Sequence, residues 1–400
     1  MLVRFCIAFF LFIQSGFWWL VLLFTPKKSK SILLVPSFTN YGGTRTYFFY
    51  LIEFLSKKKY SITVLLTNAQ CDEAVIALQA QYPFAIVELN FSAERTRFVG
   101  TIFYKKNQES LIYHLKELIY FWKKLIQFRS QYLVISEANA EVLLSLLLSP
   151  VRVFYIIHTI SLIRMDALKR KILNQRLSKT KQIITVSKSA KNYFLKNWTD
   201  GKNGEYIKVI YNFYEPKYLP LAVAEKPIKT ILTVGAVIHY KNPFFWIEVC
   251  KSILLKYPAD AVKFIWAGDG VLLDACQDLV KEISQIQFIG YQLNVEQLYA
   301  GCTIYFQPSI YESQGIAVLG AMYFKKPCVV ANCQGLPESV ANNETGNVVS
   351  TDATEESVSA ILNLLNDPKK VSEFGTAGKA RYETNFSKEI WYSSMSELFN

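Results

Sequence analysis

The chain has 400 residues, carries 44 Lys and Arg against 32 Asp and Glu for a formal net charge of +12, and is 51% hydrophobic. That length exceeds what one core usually organises, and that apolar content excludes a disordered or low-complexity polypeptide, so two domains with sizeable cores are expected. The cysteines, Cys6, Cys71, Cys250, Cys276, Cys302, Cys328 and Cys333, are odd in number and form no C-x-x-C pair, which argues against a disulfide framework or a zinc knuckle and fits a reducing compartment.

Charge is unevenly spread. Residues 1–215 hold 29 basic and 13 acidic side chains, whereas residues 216–400 hold 15 and 19. A basic half joined to a mildly acidic one points to a domain that faces an anionic surface, either membrane lipid or nucleic acid. Residues 5–24 contain only Gln14 and Ser15 as polar side chains, an apolar run of the length that crosses a bilayer core. No Ala-x-Ala-like cleavage site follows, and Lys27, Lys28 and Lys30 outnumber Arg4 on the other flank. A membrane anchor over residues 1–28 is expected, with the remainder on the cytoplasmic side; Trp18 and Trp19 leave open a helix that lies in the interface instead of spanning.

Beyond the anchor, strand and helix patterns alternate. Residues 31–36 read as a buried strand, 37–43 as a loop and 44–55 as a helix, and Gly42 and Gly43 let backbone approach a ligand at the helix start. Further strands are expected at 61–66, 85–89, 132–136, 153–157, 183–186 and 209–212, with helices at 72–80, 108–128 and 140–148. This alternation implies βαβ units and a parallel sheet. The strand at 153–157 ends on His158, at the edge where open parallel sheets bind ligands. A lone His is ordinarily a hydrogen-bonded structural residue, so it is the position that makes His158 a candidate.

Residues 151–200 hold 11 Lys and Arg but 2 Asp and Glu, with Lys169, Arg170, Lys171, Arg176, Lys179 and Lys181 set around Leu168, Ile172, Leu173 and Leu177. This basic amphipathic helix reads as a contact for an anionic membrane surface or as an ordinary solvated helix. No nucleic-acid motif accompanies the charges, and no nucleic-acid partner is expected. Pro216, Pro220 and Pro227 mark a linker.

The second half opens with ILTVG at 231–235, and Lys241 lies six positions after Gly235. Strand-and-turn patterns follow at 264–270 and 286–290, the latter ending around Ile289. Residues 308–346 are the most informative stretch. A strand over 303–306 leads to Pro308-Ser309, and a polar loop then carries Glu312, Ser313, Gln314 and Gly315. An apolar helix continues through Ile316 and Gly320 to about residue 324, and the next strand covers 328–331. A helix opening at Gly315 aims free N–H groups and the positive end of its dipole past the strand ends, which suits a phosphate or a sugar hydroxyl.

This segment resembles the donor-site signature of glycosyltransferase family 4, the glycosyl transferases group 1. Glu312, Gly315, Lys326-Pro327 and Gly335-Leu336-Pro337-Glu338 match; the second Glu of that signature, eight positions after the first, is Gly320 in this chain. Strand-then-Ser at Ser187 and strand-then-Asn at Asn212 are similar to elements of the same family, and the likeness extends over roughly residues 30–385. It implies an α/β protein of GT-B fold, with two Rossmann-like parallel-sheet domains facing a cleft. They would cover 29–215 and 230–385, joined by a linker at 216–229, with a helix over 386–400 crossing back to the first domain.

The resemblance also implies an activity: retaining transfer of a sugar from a nucleotide-sugar donor to a lipid-linked or cell-surface glycan acceptor. The acceptor hydroxyl would attack on the leaving-group face and give its proton to a phosphate oxygen, with no cofactor, no metal and no carboxylate pair. A non-catalytic GT-B subunit that partners an active transferase is the alternative. Carried over residue by residue, the candidate catalytic set is His158 at the donor sugar, Lys241 at the diphosphate and Glu312 at the donor hydroxyls. Gly42, Gly43, Gly235, Ile289, Ser313, Gln314, Gly315, Ile316 and Gly320 join Lys241 as donor-binding positions. Many relatives place an Arg directly after the strand-ending Gly, where this chain has Ala236, so one phosphate contact is absent or supplied elsewhere. Loss of the second Glu removes a charge-assisted hydrogen bond to ribose of about 1.5 to 3 kcal/mol, and Gly320→Glu is expected to return it.

The full chain is expected to fractionate with membranes, and a chain beginning near Lys28 to be much more soluble. Recovery of the full chain in the soluble fraction at ordinary salt would contradict the anchor. If the basic segment also touches lipid, residual binding of the shortened form falls as salt is raised.

Overall fold

The computed structural model describes residues 17, 20–36, 42–66, 70–88, 123–136, 147, 150–159, 166–218, 220 and 228–399. Most of the anchor, residues 37–41 of the glycine loop, most of the linker and nearly all of the helices expected at 108–128 and 140–148 lie outside these. Packing divides the chain into one unit of residues 1–185 and 191–209 and a second of residues 186–190 and 210–400.

The first unit is built on seven parallel strands: β1 (Ser31–Val35), β2 (Ser61–Leu66), β3 (Ala85–Glu88), β4 (Tyr132–Ser136), β5 (Arg152–Ile157), β6 (Lys181–Thr185) and β7 (Ile207–Val209). Their spatial order is β3-β2-β1-β4-β5-β6-β7, so the winding reverses between β1 and β4. The apolar runs fit this place, because a parallel strand covered on both faces needs no polar alternation, and β1 and β4 are buried throughout. Helix Gly43–Lys57 buries Tyr47, Phe48, Leu51, Ile52, Phe54 and Leu55. The basic helix spans Ala167–Arg176 and turns Leu173 inward while Leu168 stays exposed.

The expected anchor lies largely outside the described residues; of it, residues 20–24 are helical, with Leu20, Leu23 and Phe24 exposed and Leu22 buried. Among the described residues no helix is long and apolar enough to cross a membrane.

Six parallel strands form the second unit: β8 (Lys229–Val234), β9 (Val262–Ala267), β10 (Ile286–Phe288), β11 (Ile304–Gln307), β12 (Cys328–Ala331) and β13 (Gly346–Val349), ordered β10-β9-β8-β11-β12-β13. The strand β13 was not expected. Successive residues of each strand feed different cores: Ile231, Phe264, Trp266 and Phe306 pack with Trp246, whereas Leu232, Ile265, Tyr305 and Val330 pack with Val318, Leu319 and Met322. The boundary expected after residue 215 falls instead after residue 209, because the aromatic residues just beyond β7 bury in the second unit. Phe213 meets Trp391 at 5.4 Å between ring centroids, and the Tyr382 hydroxyl donates to the Tyr214 carbonyl at 2.5 Å. Helix Lys388–Phe399, which carries Trp391, belongs to this unit too, and Lys388 pairs with Glu215 at 2.7 Å.

Helix Pro368–Asn385 contains a buried Gly375, where an added Cβ would overlap the Lys325 carbonyl oxygen. Helix propensity favours Ala over Gly by up to about 1 kcal/mol, while forcing a methyl into backbone costs roughly 1 to 3 kcal/mol. Gly375→Ala is therefore expected to lower the thermal unfolding midpoint, and a raised midpoint would show that the close approach is absent.

Candidate functional site

In the second unit the winding reverses between β8 and β11, which end at Val234 and Gln307. The chain leaving β8 passes Gly235 and makes one tight turn over His239–Lys241; the chain leaving β11 reaches Glu312 five residues on. The two loops meet in a short ion pair from the Lys241 ammonium to Glu312 Oε2, with the side chains 18% and 16% exposed. Burial pulls the Lys241 pKa down, but the adjoining Glu312 carboxylate outweighs it and holds the ammonium above its ordinary range. Gln307 Nε2 donates to the same Oε2 at 2.7 Å. Burial first, then the Glu312 charge, push the neighbouring Cys333 thiol up to about 12, which favours its protonated form. Gly235 lies beside this pair: an added Cβ would stand 3.9 Å from Lys241 Cε, and the Trp266 indole donates to its carbonyl at 2.8 Å.

Helix Ile316–Tyr323 follows directly, with Gly315 at its start in the left-handed conformation (φ 85°) and no side-chain cap. Its first N–H groups are thereby left to a ligand or to water. The Gly335 N–H donates to the Glu312 carbonyl at 3.1 Å, and an added Cβ on Gly335 would overlap the carbonyl of Ser313. That contact fixes the loop from Glu312 to Gly315 against the turn of the Gly-Leu-Pro-Glu motif.

Three positions expected to bind the donor make contacts within the protein. The Gln314 side chain is buried and grips the Asn212 backbone, accepting from its N–H at 2.6 Å and donating to its carbonyl at 3.3 Å. Ile289 donates its N–H to the Trp266 carbonyl at 3.0 Å and accepts at its own carbonyl from Gln292 at 2.8 Å, so the backbone groups expected to meet a base are engaged within the protein. Gly320 faces the ring of Tyr299, which an added Cβ would approach to 2.9 Å, and the Tyr299 hydroxyl donates to the Ala317 carbonyl at 3.0 Å. A carboxylate introduced there collides with a buried aromatic side chain, so Gly320→Glu is expected to destabilise the protein instead of restoring a ribose contact.

In the first unit, Gly42 takes φ 114° ahead of helix Gly43–Lys57, a conformation that a side chain disfavours. Tyr47, one turn into that helix, meets His158 edge-on at 4.5 Å between ring centroids. His158 is buried, and burial lowers its pKa to about 4, which leaves it neutral at physiological pH. A neutral imidazole suits hydrogen bonding to a hydroxyl better than pairing with a phosphate.

Glu338 is the residue whose role the sequence did not reveal. Its carboxylate accepts from the Lys188 and Ser189 N–H groups at 2.7 and 2.6 Å, capping helix Lys188–Trp198, and from the Tyr211 hydroxyl at 2.8 Å. Arg381 donates to the carbonyls of Glu338 and Ser339 at 2.8 and 2.9 Å, which holds the turn that presents it. Within the second unit, Glu338 thus holds residues 188, 189 and 211, and Gln314 holds the backbone of Asn212.

Two doubly wound parallel sheets, the second with a cation and a carboxylate at its switch point and an uncapped helix start beside them, define a protein of GT-B type. Residues 222–381 match the family model described as glycosyl transferases group 1. An uncharacterized glycosyltransferase of Haemophilus influenzae is 30% identical over 145 residues, covering 35% of this chain and 40% of that relative. Among solved structures, a glycosyltransferase from Rickettsia africae has a TM-score of 0.75 at 15% identity, over 92% of this chain and 97% of its own. The Anabaena protein HepE, solved with UDP and glucose, has a TM-score of 0.70 at 16% identity, over 92% and 99%. At these identities the likeness shows the fold.

The buried His158 gives a pH signature. Its folded pKa, about 4, lies below its ordinary 6.5, so between these values the unfolded chain binds a proton that the folded chain refuses. Stability is fully present above about pH 6.5 and lost as pH falls toward 4, by up to about 3 kcal/mol for this group. His158→Gln is expected to flatten the dependence of the unfolding midpoint on pH in that window; parallel curves for both proteins would contradict the burial.

Proposed function

We propose that this protein is a membrane-associated retaining glycosyltransferase that moves a sugar from a nucleotide-sugar donor to a lipid-linked or cell-surface glycan acceptor. The observation that carries the reading is the Lys241–Glu312 pair at the switch point of the second sheet, next to the uncapped start of helix Ile316–Tyr323. Breaking a sugar–diphosphate bond calls for charge stabilisation on the leaving group more than for a strong base. In this reading Lys241 and the amides at Gly315 and Ile316 take the diphosphate, and Glu312 accepts from sugar hydroxyls. A phosphate oxygen receives the acceptor proton, and no cofactor or metal is assigned a step. The acceptor class follows from the apolar stretch at 5–24 and the basic excess of the first half, which suit an anionic membrane on the cytoplasmic side.

Ala236, where many relatives have an Arg, and the ring of Tyr299 over Gly320 favour a second reading, a non-catalytic subunit that binds nucleotide weakly and partners an active transferase. Transfer or donor hydrolysis screened across UDP-, GDP- and ADP-sugars separates the two, since turnover with any donor excludes the second. Lys241→Ala removes a charge-assisted contact of about 1.5 to 3 kcal/mol, so affinity for the cognate nucleoside diphosphate should fall roughly 10- to 100-fold. Calorimetric affinities unchanged for every diphosphate tested would remove Lys241 from the site.

A further inference from the structure

The Lys241–Glu312 pair does not stand by itself. Gln307, the last residue of β11, is 2% exposed and spends its whole amide on the same cluster. Its Nε2 donates to Glu312 Oε2 at 2.7 Å and to Ser309 Oγ at 3.2 Å, while its Oε1 accepts from the Tyr305 hydroxyl at 2.8 Å. An amide turned the other way would set its oxygen against a carboxylate. The Glu312 carboxylate, which can only accept, therefore fixes which end of the amide faces it; the Tyr305 hydroxyl serves the other end and also lies 3.3 Å from the Val234 carbonyl. Among the described residues the hydrogen bonds of the Glu312 carboxylate fall on Oε2, from Lys241 and from Gln307, and Oε1 is left to accept from a ligand.

We propose that Gln307 is a positioning residue: by holding Oε2 it turns Oε1 of Glu312 toward the donor sugar, and the Tyr305 hydroxyl steadies the far end of its amide. The inference rests on the nucleotide-sugar reading of the site. Gln307 touches no substrate atom in it, so its loss disturbs the sugar and leaves the diphosphate contacts of Lys241 in place. The groups around the amide that carry charge or titrate are Glu312, Lys241, Tyr305 and Cys333.

Three variants of the full chain test this, with donor turnover followed kinetically and nucleoside diphosphate binding followed by calorimetry. Gln307→Leu should lower kcat about 10- to 100-fold while the diphosphate Kd stays within about twofold. Tyr305→Phe removes a single hydroxyl and should lower kcat about three- to tenfold with the same unchanged Kd. Gln307→Glu carries the sharpest signature. With one proton shared between the two carboxyl groups its O–H donates to Glu312 as the amide does, so turnover approaches wild type at about pH 5 to 6; it falls as rising pH ionises both and they repel, a fall absent from wild type. Turnover within about twofold of wild type for both Gln307→Leu and Tyr305→Phe, or a Gln307→Glu profile parallel to wild type, overturns the positioning role. A wild-type protein that binds no nucleoside diphosphate and cleaves no nucleotide-sugar overturns the reading of the site and this inference together, whereas an active wild type with indifferent variants overturns this inference alone.

Discussion

The contact on which the second unit turns is the ion pair of Lys241 and Glu312, and its energetics decide how to regard it. Withdrawing an ammonium and a carboxylate from water costs several kcal/mol per ion, and their attraction repays that only with good geometry and further hydrogen bonds. The second donor is the Gln307 amide, and the pair keeps a little exposure, 18% and 16%. A pair of this kind adds little net stability, and two apolar side chains of similar volume would serve the fold as well. Yet around it are ordered the ends of two neighbouring strands, a buried glutamine, a tyrosine and a glycine turn. On the proposed function, such an arrangement is accounted for by what the charges do for a ligand.

Parallel sheets bury both faces, so their strands appear in sequence as short apolar runs, and β1, β2, β4, β5, β6, β8, β9 and β11 stand within a residue or two of where those runs lie. The places of Gly42, Lys241, Glu312 and Gly315 beyond strand ends were legible for a related reason: each sits a few residues past such a run. What could not be read was decided by partners far away in the chain. Glu338 caps a helix that starts 150 residues earlier, and Gln314 holds a backbone 102 residues earlier. Tyr299 fills the space above Gly320 from a helix that no pattern links to it. Ile289 fell to a different cause, because sequence gives the end of a strand but not whether its last N–H and carbonyl are already spent.

The same distinction separates what glycine means along the chain. Gly42 and Gly315 carry positive φ at helix starts, and there the residue type follows from the backbone itself. Gly335 and Gly320 have ordinary backbone angles; each is small because something else occupies the place of a side chain, the Ser313 carbonyl in one case and the Tyr299 ring in the other. A departure from a family pattern at such a position therefore has two parts, the side chain lost and the neighbour that has moved into its space. Gly320 taken alone looks like a deleted ribose contact, but Gly320 with Tyr299 is a filled core.

Charge in the first unit is sorted along the strands. Arg152 opens β5 and Lys181 opens β6; the Lys181 ammonium donates to the Val151 carbonyl, and Lys27 donates to the adjacent Pro150 carbonyl at 2.6 Å. Burial, then the charges of Lys27 and Arg176, lower the Lys181 pKa to about 7, the mark of several cations crowded at one edge. Gly42 and His158 follow the opposite ends of β1 and β5. In a parallel sheet these edges are separated by the full length of the strands, about 3.3 Å per residue. On the proposed function, an anionic surface drawn to the basic edge and a sugar held at the other do not compete for the same side chains, and salt that weakens the first would leave the second largely untouched.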